Sequence, residues 1–304
     1  MGIEGIRDRY INPYTDFGFK KLFGTNLNKD LLISFLNALL EGQETVDDVT
    51  YLNVEQLGSR ELDRRAVFDV YCQNRQGERF LVEMQKGEQE FFKDRSLYYT
   101  TFPIREQAKR GQWDYALKAV YTIGILNFAF DDTDSEQYRH DVKLVDLESG
   151  KVFYDKLTFI YLEMPKFRKR EDELETFLDK WMFVLRNLAS LMERPKALQE
   201  KVFSRLFAAA EIARFSQQEM YDYEESLKNF RDWYSVITTA ERKGRSEGRE
   251  EGRKEGLEEG MKVGWAKAAL DIARNMKRQG MDPEGIAQIT GLSPDEVGKM
   301  GQSN

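Results

Sequence analysis

The chain has one cysteine, Cys72, and one histidine, His140, among its 304 residues. One thiol excludes a disulfide framework and a thiolate zinc site, and Cys72 is expected to be a small buried hydrophobe. One imidazole removes histidine-rich zinc sites, HNH-type chemistry and any mechanism that needs two histidines. His140 falls near an expected strand end and reads as structural. No apolar run reaches the ~20 residues of a membrane helix, and the first residues lack the charged, apolar and small-residue order of a signal peptide. A cytoplasmic protein without a membrane partner is the expectation. Positive charge is also short: the formal net charge is −7, which argues against tight nucleic-acid binding driven by net charge alone. Such a balance leaves room for local cations beside a metal-binding set of acids. With 41% hydrophobic residues the chain can bury a substantial core, enough for one main domain and an appended helical region.

What is present in an unexpected place is acid. Asp69 lies inside AVFDVYC and Glu83 inside RFLVEMQ, two stretches that otherwise read as apolar strands. Strand side chains alternate faces, so Val67, Asp69 and Tyr71 share one side of the first, and Leu81, Glu83 and Gln85 share one side of the second. Asn74-Arg75-Gln76-Gly77 is suited to a hairpin connection, which would bring Asp69 toward Glu83 with Gln85 two residues on. Burying a carboxylate is costly unless something positive meets it, and hard divalent cations take a few carboxylates together with water and phosphate oxygens. The pair therefore reads as a metal site, the alternative being acids on a strand edge facing water. Lys86, next after Gln85, would point to the opposite face of a regular strand.

Four segments extend this pattern: NPYTDFGFKKLFG, RRAVFDVYCQNRQGERFLVEMQ, FFKDRSLYYTTFPIREQAKRGQWDYALKAVYTIGILNF and IAQITGLSPDEV. Together they resemble the Rpn family, the recombination-promoting nucleases and transposases of the PD-(D/E)XK nuclease superfamily, closely over residues 8–130 and loosely at the tail. The resemblance implies an α/β fold, a restriction-endonuclease-like mixed sheet flanked by helices, followed by an all-helical C-terminal region. It implies metal-dependent hydrolysis of DNA phosphodiesters, linked to recombination, mobile elements or defence. Mg²⁺, or another divalent cation such as Mn²⁺ or Ca²⁺, would be the cofactor. Asp69 and Glu83 would hold the metal and Gln85 would occupy the motif's lysine position, where a neutral amide orients water or phosphate but supplies no charge. Asp16, at the start of the first helix, would complete the site, although Thr15 or Asp16 also suits a helix N-cap. Lys20, Arg95, Tyr99 and Gln107 would contact DNA, with Tyr98, Tyr99 and Phe102 as core under Arg95 the competing reading. A non-catalytic oligomeric DNA- or protein-binding member of the same fold is the alternative function, and Gln85 is the feature that divides the two.

Periodicity predicts helices over 15–24 and 28–41, strands over 48–57, 64–73 and 78–86, a helix over 90–110, a central strand over AVYTIGILNFAF, and strands over 138–147 and 156–164. From 171 onward the spacing is helical, with segments near 196–213 and 217–240. The expected organisation is a nuclease-like domain over 1–165, a helical support region over 166–243, a charged stretch over 244–265 and a small helical tail over 266–304. In the charged stretch, Gly244, Gly248, Gly252, Gly256, Gly260 and Gly264 recur every fourth residue. Each weakens a helix by about 1 kcal/mol relative to alanine, yet the spacing allows close backbone approach, so self-association and a flexible linker are both open. The tail has a helix-turn-helix rhythm around Gly291 and Ser293-Pro294. Its second helix carries Asp295 and Glu296 with only Lys299 as a cation, which favours dimer docking or regulation over phosphate reading.

Overall fold

A computed structural model of the chain describes residues 8–42, 44–52, 68–108, 114–130 and 136–300. The chain divides into two compact units, Met1–Arg231 and Asp232–Asn304.

The first unit is built on a six-stranded mixed sheet. Its strands are β1 (Val49–Tyr51), β2 (Val70–Asn74), β3 (Arg79–Gln85), β4 (Val120–Leu126), β5 (Arg139–Val145) and β6 (Val152–Glu163), in the order β1-β2-β3-β4-β6-β5. β1, β2 and β3 run antiparallel, β3, β4 and β6 run parallel, and β5 returns antiparallel to β6. β4 is buried at every position, as its unbroken apolar sequence requires of a strand covered on both faces. The expected strand over 48–57 is described only as far as 52, and the start of the expected strand over 64–73 lies outside the described residues.

Alternation along the strands creates two cores. Val70, Cys72, Phe80, Val82, Met84, Ile123 and Ile160 face the larger one, against helices α1 (Asp16–Phe23), α2 (Lys29–Leu39), α4 (Phe177–Asn187) and α5 (Lys201–Ala210). Trp181, fully buried, stacks among Phe23, Phe35 and Phe203 at its centre. On the other face Tyr71, Leu81 and Val120 meet Phe102 of α3 (Phe92–Arg105), the helix that connects β3 to β4. Cys72 is buried in the larger core, on the face opposite Tyr71.

α1 is set by its N-terminus. The Thr15 hydroxyl accepts the Gly18 N–H at 3.0 Å and donates to the Asn12 carbonyl at 2.7 Å. A side chain at Gly18 would fall 2.1 Å from that carbonyl, so this turn admits only glycine. Thr15 is thus the cap, which releases Asp16 for other contacts.

α6 (Gln217–Arg278) is a single 62-residue helix assignment that includes all six regularly spaced glycines, so the linker expectation is replaced by helix. In the second unit its end meets α7 (Pro283–Thr290) and α8 (Pro294–Lys299) around Ala273, Ile286 and Val297. Gly291 closes α7 at φ 75°, and Ser293 and Glu296 form a capping box that opens α8. No helix among the described residues is long and apolar enough to cross a membrane.

Candidate active site

The hairpin register sets the centre of the site. Val70 pairs with Val82, which makes Asp69 and Glu83 the next cross-strand neighbours, on the face of Tyr71 and Leu81. Asp69 occupies a bend just ahead of β2 rather than the middle of a strand. The bend frees its carboxylate to accept the Met84 N–H at 2.7 Å, which fixes one oxygen and leaves the other for a ligand. The row continues across the sheet from Glu83 to Gly124 on β4 and Tyr161 on β6. A Cβ on Gly124 would lie 3.0 Å from the Tyr161 ring, so glycine there lets the ring lean over β4. The Tyr161 hydroxyl shares a 2.8 Å hydrogen bond with Ser96 of α3.

Both acids hold protons more tightly than usual. Burial raises the Asp69 pKa, the Met84 N–H opposes it, Asp16 adds to it, and Lys20 and Lys86 pull it back. Burial pushes Glu83 up to about 7 in spite of Arg95, with Asp69 contributing repulsion. Withdrawal from water is the leading cause for both acids, with repulsion from Asp69 a smaller addition at Glu83.

Of the eight candidate site residues, seven from the resemblance and Lys20 from its place on the first helix, the structure gathers most. Arg95 reaches from α3 to Glu83 at 3.3 Å and to the Gln85 amide oxygen at 2.9 Å, while the Gln85 amide nitrogen donates to the Gly87 carbonyl at 3.0 Å. Gln85 is buried and committed at both ends, so it acts here as a bracket for Arg95. Tyr99 lies under Arg95, 5.9 Å from ring centroid to guanidinium, and packs edge-on against Phe68. Asp16 is exposed and pairs with Lys20 at 2.8 Å. Both join Asp69 in lining an open cleft of about 710 Å³, whose opposite wall includes Asp222 and Glu225 of α6. Gln107 is the exception. It lies beyond the end of α3 at Arg105, and its amide clamps the Lys118 backbone, accepting the N–H at 2.7 Å.

Three contributors escape a reading by motif. Tyr161 comes from β6, 78 residues after Glu83, and only the sheet order brings it near. Ser96 is one small residue in a helix. Lys86 follows the end of β3 at Gln85, and its positive charge acts weakly on Asp69.

Among the described residues no group of three or more His, Cys, Asp or Glu side chains is placed to hold a metal ion. The donors present are two adjacent carboxylates, both burdened by burial. They suit a hard divalent cation that keeps most of its shell as water and phosphate oxygens, and do not suit a closed protein cage.

A sheet of this order with paired acids across a hairpin and helices on both faces defines a nuclease-type α/β domain. The profile of the PD-(D/E)XK nuclease family transposases matches residues 13–240, and that of the Rpn/YhgA-like nuclease family C-terminal HTH domain matches residues 266–300. The chain belongs to this family, the Rpn group of the PD-(D/E)XK superfamily. No curated protein and no solved structure matches it.

Proposed function

We propose that this protein is a divalent-cation-dependent DNA endonuclease of the cytoplasm. The observation that carries the reading is the cross-strand pair Asp69–Glu83, two acids raised in pKa with a guanidinium at one side. Asp69 and Glu83 would hold the cation, of which Mg²⁺ is the natural choice for this donor set. The chemistry such an ion supplies is neutralisation of phosphate charge and acidification of a water.

The protein's own groups divide the remaining work. Met84 N–H orients the Asp69 carboxylate. Gln85 holds Arg95 where its guanidinium can meet a nonbridging phosphate oxygen, so the charge missing at the motif's third position arrives from α3 instead. Lys86 and Lys20, both felt by Asp69, bring further positive charge to the same edge. The Tyr161 hydroxyl stands behind Glu83 and donates or accepts through Ser96. Asp16 narrows the cleft beside Asp69 and is assigned an accessory role. The tail, matched as an HTH domain, offers a second DNA contact or a docking surface for another copy, and α6 is the helix through which copies would pair.

Nicking of supercoiled plasmid in Mg²⁺, Mn²⁺, Ca²⁺ or EDTA tests the reading. Metal-dependent cleavage should fall at least about 10²-fold in Asp69→Ala and Glu83→Ala, the scale of a few kcal/mol of transition-state charge stabilisation. Wild-type protein that binds DNA and cuts it under no metal would make this chain a binding member of the fold instead.

A further inference from the structure

Phe91 has an unusual combination of strain and exposure. Its backbone lies at φ 59°, ψ 31°, a left-handed conformation that disfavours a bulky side chain and that glycine or asparagine normally fills. Its ring is 67% exposed, so packing does not explain the residue. The backbone is nonetheless pinned: the Phe91 carbonyl accepts the Arg95 N–H at 2.9 Å, and the next N–H, of Phe92, donates to Gln89 at 3.1 Å. The reversal turns consecutive aromatics apart. Phe92 goes inward against Phe128 and Tyr161, and Phe91 is left on the surface.

The exposed ring borders an open cavity of about 410 Å³, with Phe92, Phe128 and Phe130 as its other aromatic walls and Glu88, Glu90 and Asp94 at its rim. Lys93 lies 4.7 Å from the Phe130 ring centroid. The cavity is linked to the candidate active site through Arg95, whose guanidinium meets Glu83 at 3.3 Å and lies 5.8 Å from the centroid of the Phe92 ring. Strained residues gather where a structure serves a ligand rather than its own stability.

We propose that this cavity receives an unpaired nucleobase from the strand whose phosphodiester lies at Asp69 and Glu83, with Phe91 as the stacking surface. The proposal rests on the nuclease reading. A base has two apolar faces and a polar edge, which matches aromatic walls and a polar rim. Three carboxylates against the one ammonium, Lys93, among the described lining residues leave the cavity net negative and disfavour a phosphate, so the sugar-phosphate backbone is not the occupant. They accept hydrogen bonds from the exocyclic amino groups of cytosine, adenine and guanine, and thymine, with no amino group, fits least well. A base inside an intact duplex cannot enter without unstacking. Single strands, mismatches and frayed ends are therefore preferred over perfect duplex.

The test uses full-length protein in EDTA and single-stranded oligonucleotides carrying 2-aminopurine, whose fluorescence is quenched on stacking. Phe91→Gly suits the left-handed backbone, so its thermal midpoint should equal or exceed wild type, which separates a binding defect from misfolding. Expected are quenching by wild type, by Phe91→Trp and by Asp69→Ala, and an affinity loss of about tenfold or more with loss of quenching in Phe91→Gly. Equal affinity and quenching in Phe91→Gly would overturn the proposal. If that variant also retained metal-dependent cleavage, the nuclease reading would stand without it. Wild type that quenches but never cuts would leave the base site intact and remove the nuclease reading, and wild type that binds no oligonucleotide would overturn both.

Discussion

Asp179 and Glu163 are as deeply placed as any acids among the described residues, and the chain treats them quite differently from Asp69 and Glu83. Asp179, 1% exposed, accepts N–H groups from Thr176 at 2.9 Å and Glu175 at 3.2 Å and an ammonium from Lys169 at 2.9 Å. Burial would raise its pKa, but Lys169 and the amides hold it below the usual carboxylate range. Glu163 is the same case, with burial outweighed by Lys166 at 2.6 Å and the Phe130 N–H at 2.6 Å. Asp69 has one amide, and Glu83 one guanidinium at 3.3 Å; both remain raised. One fold thus carries one buried pair of acids satisfied from within and one half-buried pair that, among the described residues, is left short of positive charge. That shortfall is the feature on which the proposed cation site rests.

Substitution at matched positions should break the comparison most sharply. Asp69→Asn is expected to leave unfolding free energy unchanged or slightly higher, since it removes a burdened charge and can keep the Met84 contact, while cleavage falls at least about 10²-fold. Asp179→Ala, far from the site, should leave specific activity of the folded fraction intact and cost about 3 kcal/mol, through loss of the α4 capping box and an ammonium left without its buried partner. Urea unfolding and plasmid nicking on the two variants measure both. Equal stability losses would mean that the two acids do the same structural work.

The pH dependence of metal-free protein sharpens the contrast next. Folded Glu83 keeps its proton up to about 7, whereas in the unfolded chain a glutamate releases it near about 4.3. Between those values the native state binds more protons, so stability should decline as pH rises through that window, by roughly 1–3 kcal/mol. Glu83→Gln should flatten this decline, and saturating Mg²⁺ should offset it by displacing the proton. Denaturant midpoints at pH 4.5, 6 and 8 would show it. A wild-type profile parallel to that of the variant would deny Glu83 its raised pKa.

How much of this was legible beforehand follows from which interactions are local. The sheet strands, the hairpin after Asn74 and the Asp69–Glu83 pairing follow from period-two alternation and one turn, and Arg95 over Tyr99 follows from one turn of helix. Tyr161 and Gly124 required the strand order β3-β4-β6, which depends on crossovers that no local pattern encodes. Lys86 lies past the end of β3, where strand alternation no longer says which way a side chain points. Gln107 lies past the end of α3 at Arg105, so it does not continue the Arg95–Tyr99 face, and its amide turns to the Lys118 backbone. Phe91 gave no signal, since a left-handed phenylalanine is invisible in a sequence that has no glycine there.

A third kind of acid sets the lower bound of the comparison. Glu219, at the start of α6 and in the wall of the Asp69 cleft, pairs with Lys21 and accepts the Ser216 N–H at 2.9 Å. The Lys21 contact, then the Ser216 amide, hold its pKa down to about 2. A depressed carboxylate contributes stability that is present above the unfolded value near 4.3 and is lost as pH falls toward about 2. Because its side chain is 35% exposed, solvent screening limits the gain to about 1 kcal/mol. The gap in stability between wild type and Glu219→Gln should therefore shrink from about 1 kcal/mol at pH 7 to near zero at pH 2, measured by urea unfolding. That direction is opposite to the one expected for Glu83, although both glutamates belong to the same unit. A gap that widened on acidification would show that Glu219, like Glu83, lacks an adequate partner, and the division between satisfied and unsatisfied acids would no longer single out the candidate active site.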